Sequence, residues 1–140
     1  MRVLIAEDDP ISRRRLEGML VKWGYEVTVA RDGFKALQIF QETPPPSLAI
    51  LDWIMPGMDG TEVCRKVREM SDHRSSYIIL FATRNFLDSI VDGSEKGADD
   101  YMAKPFDFEE LRVRLQRAMH ILDLRNAFAS GPLSGPLSTS

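Results

Sequence analysis

Ser47-Leu48-Ala49-Ile50-Leu51-Asp52-Trp53-Ile54-Met55-Pro56-Gly57-Met58-Asp59-Gly60 is the stretch from which the rest of the chain can be read. Its apolar run ends on the carboxylate of Asp52 and gives way to residues that turn the chain. A carboxylate directly after such a run sits at the carboxyl end of a buried strand, with a loop opening above it. Glu7 and Asp8 stand in the same relation to a second run, Val3-Leu4-Ile5-Ala6. Lys104 follows a third, Tyr101-Met102-Ala103, and precedes Pro105. Three acids and one lysine at strand tips converge only if those strands lie parallel in one sheet. Open parallel sheets carry their sites at this edge.

Outward from Asp52, strand and helix signals alternate five times. Val3–Ala6 is continuously apolar, as expected of a strand covered on both faces. Asp9 has the character of an N-cap, with Pro10 at the first helical position. Leu16, Met19, Leu20 and Trp23 form the expected buried stripe, and Gly24 ends the helix. Tyr25, Val27 and Val29 alternate with polar residues, which marks an edge strand. The second helix starts near Asp32-Gly33, buries Ala36, Leu37 and Phe40, and is stopped by Pro44-Pro45-Pro46.

Beyond Asp52, Asp59 and Glu62 have capping-box spacing ahead of Val63, Val67 and Met70. A fourth strand is predicted over Tyr77–Ala82, a short helix over Phe86–Lys96 closed by Gly97, and a fifth strand over Tyr101–Ala103. Asp107 and Glu110 open a last helix with Leu111, Leu115, Ala118 and Leu122 on one face. This βαβ series predicts a three-layer αβα sandwich, because right-handed crossovers place helices on both faces of the sheet. The segment from Ser130 repeats Ser-Gly-Pro-Leu and cannot bury a core; residues 130–140 read as a flexible tail or linker stump.

Composition narrows the function. The chain has 140 residues, 44% of them hydrophobic, which suits one core. Its net charge of −3 and lack of a basic run give no nucleic-acid surface. Cys64 is the sole cysteine, so neither an internal disulfide nor a cysteine metal cluster can form. No apolar stretch approaches the roughly 18 residues of a membrane span. The expected location is the cytoplasm.

Glu7-Asp8-Asp9, Asp52 with Met55-Pro56-Gly57-Met58-Asp59-Gly60, Gly97-Ala98-Asp99-Asp100-Tyr101 and Lys104-Pro105-Phe106 occur in one order and spacing. Through them the chain resembles the receiver domain of bacterial two-component response regulators, the CheY-like superfamily, over residues 1–122. Residues 123–129 then read as an extension of the last helix. The resemblance implies a flavodoxin-like parallel five-stranded sheet of order 2-1-3-4-5. It also implies Asp52 as phosphoacceptor, Lys104 as the phosphoryl contact and Tyr101 as a switch residue, with Pro105 after a cis peptide. Mg²⁺ (or Mn²⁺) would be held by Asp8, Asp52 and the backbone carbonyl of Ile54, with Glu7 acting through a water. The implied partner is a histidine kinase or phosphotransfer protein. A homodimer through helix 4, strand 5 and helix 5 would pair acids such as Asp99 and Asp100 with arginines of the last helix. Leu51-Asp52-Trp53 through Gly60, followed by Glu62-Val63-Cys64, is similar to receivers joined to diguanylate cyclase or phosphatase outputs, so the chain reads either as a stand-alone receiver or as the N-terminal part of a protein with a C-terminal effector domain.

One position departs from the family. Receivers carry Thr or Ser at the end of strand four, where the hydroxyl binds a phosphoryl oxygen. Ungapped spacing puts Ala82 there, with Thr83 one residue later. Either the loop is shortened and Thr83 serves, or the hydroxyl is absent. Two other readings follow: a phosphorylation-independent dimerisation or docking module, and an aspartyl-phosphate-type metal-dependent phosphohydrolase. The latter wants its acids as D-x-D on the first strand, whereas Asp8-Asp9-Pro10 stands here.

Overall fold

Five strands pair in parallel: β1 (Arg2–Ala6), β2 (Glu26–Ala30), β3 (Leu48–Asp52), β4 (Tyr77–Thr83) and β5 (Asp100–Lys104). They lie in the order β2-β1-β3-β4-β5, the expected flavodoxin-like α/β class. The helices are α1 (Pro10–Lys22), α2 (Gly33–Phe40), α3 (Gly60–Glu69), α4 (Arg84–Asp88) and α5 (Phe108–Ser130). This computed structural model describes residues 1–70, 76–88 and 97–130, the side chains of 88 and 128–130 excepted. The expected continuation of the fourth helix to Lys96, and the tail beyond Ser130, lie outside the described residues.

Local chemistry sets the helix starts. Asp9, Asp32, Asp59 and Asp107 each accept a hydrogen bond from the backbone N–H three residues on, at 2.7–2.9 Å. Each such cap contributes about 1 kcal/mol. Gly24 follows α1 at φ 95°, a left-handed position natural to the residue that ends a helix.

The central strand β3 is buried throughout, whereas the edge strand β2 buries only Ala30. On one face of the sheet Leu4, Ala49, Leu51, Ile78 and Leu80 pack with Ala36, Ile39 and Phe40 of α2 and Val63, Cys64 and Val67 of α3. The buried residue of α2 is Ile39, while the predicted Leu37 is half-buried against that cluster. α1 buries only Leu16 and Leu20; the predicted Met19 and Trp23 stay half-exposed. The reason is placement: α1 packs along β1 and the edge strand β2, where the sheet covers one flank of the helix.

The chain divides into two compact units, Met1–Phe106 and Asp107–Ser140. In the second, α5 buries Leu111, Leu115, Ala118 and Leu122, the predicted stripe. Among the described residues no helix is long and apolar enough to cross a membrane.

Candidate functional site

The register brings the acids together. Ala6 pairs with Leu51, so the residues that follow, Glu7 and Asp52, come side by side at the carboxyl edge of β1 and β3. Asp52 pairs with Phe81, and Thr83 with Lys104. Strand alternation therefore puts Glu7, Asp52 and Lys104 on one face of the pleat.

Lys104 Nζ donates to Asp52 Oδ2 at 2.8 Å and to Glu7 Oε1 at 3.0 Å. Glu7 and Asp52 are buried, at 3% and 8% exposure, while Asp8 is open to solvent. Carboxylate oxygens of Glu7, Asp8 and Asp52 lie within 4.8 Å of one another. Burial pushes the Glu7 carboxyl above its ordinary value, and the hydrogen bond and charge of Asp52 push it further, against the pull of Lys104. Burial opposes the charge on Lys104, but its bonds to Asp52 and Glu7 outweigh that and raise its pKa.

One ammonium thus serves two buried acids, with a third carboxylate beside them. An oxygen-only set with this excess of negative charge fits a hard divalent cation. The expected ligand acids converge, with Glu7 rather than Asp8 the deeply buried member.

The loop after Asp52 is tightly held. Trp53 N donates to Phe81 O at 2.7 Å, and Gly60 N to Trp53 O at 2.7 Å. A Cβ on Gly60 would stand 2.4 Å from Asp52 O, so only glycine lets α3 start against the tip of β3. Inside this loop Ile54 is exposed. The start of α2 presses on the same loop: a Cβ on Gly33 would fall 1.8 Å from Met58 O, and the Phe34 ring lies over Gly57. This buttress has no motif of its own in the sequence.

At the end of β4, Ala82 is buried within the α2–α3 cluster. Thr83 is exposed, and its hydroxyl accepts from Phe86 N at 3.3 Å at the start of α4. Tyr101 is half-buried, its ring 6.2 Å from that of Trp53, which in turn meets Phe86 edge-on at 4.8 Å. The Lys104–Pro105 peptide is cis.

Two arginines escaped the sequence reading. Arg13 Nη1 donates to the carbonyls of Glu7 and Asp8, at 3.0 and 3.2 Å. Its signal was weak: a cation one turn into the helix that follows an acid pair. Arg68 of α3 donates to Ser76 O at 2.7 Å, Gly97 O at 2.8 Å and Asp99 Oδ2 at 2.6 Å. Asp99 Oδ2 also accepts from Ile78 N at 2.8 Å. Asp99, expected to face a second copy, is engaged within its own protomer.

A family of known proteins, described as the response regulator receiver domain, matches residues 3–116. The chain belongs to this family. Receiver domains are signalling modules of two-component systems, and the relatives of this one agree. It is 40% identical over 116 residues to the response regulator MprA of Mycobacterium avium, covering 83% of this chain and 50% of that protein. The receiver superposes on the chemotaxis response regulator CheY4 of Vibrio cholerae with TM-score 0.77 at 32% identity, covering 84% of this chain and 97% of the other. It is similarly close to the receiver domain of the sensor histidine kinase PA1611 of Pseudomonas aeruginosa, whose structure has a magnesium ion coordinated in its active-site cleft. There the TM-score is 0.76 at 29% identity, over 85% of this chain and 97% of that one. This receiver spans about half the length of the curated relatives it matches.

Proposed function

We propose that this receiver accepts a phosphoryl group on Asp52 from a phosphohistidine of a histidine kinase or phosphotransfer protein. A carboxylate oxygen of Asp52 attacks phosphorus, the P–N bond breaks, and its electron pair returns to the imidazole. The observation that carries this reading is the contact of Lys104 with Asp52 at 2.8 Å, inside a cluster of three carboxylates. Phosphoryl transfer asks the protein chiefly for positioning and for charge at the moving group. Lys104 supplies a fixed ammonium there, its reach set by β5. Asp8, Asp52 and the Ile54 carbonyl would hold Mg²⁺ (or Mn²⁺), with Glu7 acting through a water. The ion supplies charge neutralisation among acids that otherwise repel one another. Half-buried Tyr101, packed by Trp53, is the residue we assign to the conformational readout.

Incubation with acetyl phosphate and Mg²⁺ tests this. One phosphoryl group per chain, labile at high pH and absent from Asp52→Asn, is the expected result. Labelling that survives in Asp52→Asn would move the acceptor elsewhere.

A second reading, a docking module independent of phosphorylation, draws on one observation. Ala82 is buried without a hydroxyl, and the Thr83 hydroxyl is engaged at the start of α4. Absence of labelling would favour it, and multiple turnover would favour a phosphohydrolase.

A further inference from the structure

Three backbone groups of Glu7 and Asp8 are tied down by neighbours that do not belong to the acidic cluster. Glu7 N donates to Ala30 O at 3.2 Å, which docks the residue on the tip of β2. The carbonyls of Glu7 and Asp8 both accept from Arg13 Nη1, at 3.0 and 3.2 Å. Asp9 N donates back to Glu7 Oε2 at 3.2 Å, and Asp9 O accepts from Arg13 N at 2.9 Å as α1 begins. The segment between β1 and α1 has little freedom left. Arg13 accounts for both carbonyls on its outer side.

We infer that Arg13 is a positioning residue of the acidic site. By gripping the Glu7 and Asp8 carbonyls, it fixes the backbone from which the two carboxylates are aimed at a divalent cation. This rests on the function proposed above. Charge alone argues the other way: a guanidinium close to a cation site repels the incoming ion. A role in metal binding is therefore geometric, and it outweighs that repulsion. Residues that orient ligands without touching the metal typically change affinity about 10–100-fold when removed.

The opposite signs of the two effects make the test decisive. Mg²⁺ affinity is measured by calorimetric titration of the full chain, and Trp53 fluorescence provides a second readout. Arg13→Ala should weaken Mg²⁺ binding about tenfold, although it makes the chain more negative. Arg14→Ala, which removes the same charge from the neighbouring exposed position, should bind Mg²⁺ as the parent does or slightly more tightly. The loss in Arg13→Ala should appear as a higher Mg²⁺ requirement for labelling by acetyl phosphate, with the rate at saturating Mg²⁺ largely restored. Arg13→Lys, which keeps one donor, should recover part of the affinity and serves as the readout if the alanine variant folds poorly.

Binding as tight in Arg13→Ala as in the parent, or tighter, would overturn the assignment of Arg13 while leaving the acidic site intact. A parent chain that takes up no Mg²⁺ would overturn the proposed function and this inference together.

Discussion

Lys104 joins Asp52 at 2.8 Å across 52 positions of sequence, and the same ammonium reaches Glu7 at 3.0 Å across 97. It is the cation against which two buried acids are balanced. Lys104→Met leaves both carboxylates buried without it, so destabilisation of about 2 kcal/mol at neutral pH is expected in urea unfolding. Adding Asp52→Asn should return much of that loss. Equal stability of the Lys104→Met variant and the parent would mean that solvent already screens the pair.

The glycines around the site should differ sharply in their tolerance of alanine. Gly60 and Gly33 meet backbone oxygens at 2.4 and 1.8 Å from a built Cβ, so either alanine must displace the loop after Asp52. Each should cost about 2–3 kcal/mol, and labelling of Asp52 should fall with it. Gly18, within α1, has nothing within 4 Å of that position. Gly18→Ala should stabilise the protein by about 0.5–1 kcal/mol, from helix propensity alone. Thermal denaturation of the three variants checks the order.

Arg68 ties α3 to the starts of β4 and β5 through Ser76, Gly97 and Asp99. Arg68→Ala leaves a half-buried carboxylate and two carbonyls without it, and about 2–4 kcal/mol of stability should go. Arg68→Lys cannot reproduce a planar fork and should recover under half of that. A double variant with Asp99→Asn separates charge from hydrogen bonding. Additive losses in that cycle would show that the two residues act independently.

The end of β4 gives a test with two distinct outcomes. Ala82→Thr adds a hydroxyl at a packed position and should cost about 1 kcal/mol. It should nonetheless strengthen the conformational response to beryllofluoride, read by Trp53 fluorescence. Thr83→Ala should remove roughly 0.5–1 kcal/mol with its contact to Phe86 N, and leave the response unchanged. A response lost in Thr83→Ala would instead assign the phosphoryl hydroxyl to Thr83.

Burial pushes the Cys64 thiol from the ordinary 9.0 up to about 12. An acid whose folded pKa is raised contributes stability that is present below its unfolded value and lost as pH climbs through the folded one. Unfolding should therefore become easier from pH 9 upward, and this slope should shrink in Cys64→Ala. Iodoacetamide should label the parent only after denaturant is added. Rapid labelling of the native protein at pH 8 would contradict the buried position.

The strands and helices were legible from the sequence because their causes are local. Apolar runs mark the buried strands, and aspartates three residues before a free N–H mark the helix starts. The acids at Glu7, Asp8 and Asp52 could be placed at strand tips for the same reason, and their motifs gave the family. Tertiary structure alone decided which partners these groups meet. Lys104 reaches Asp52 because β1, β3, β4 and β5 are neighbours in one register, a relation that no segment encodes by itself. Glu7 is buried and Asp8 exposed because Glu7 continues the pleat while Asp8 turns into the loop. Asp99 is held by Arg68, Gly33 presses on Met58, and Arg13 grips the acid pair from the next helix. Each of these contacts joins residues through the packing of separate elements, where distance in space is independent of distance along the chain.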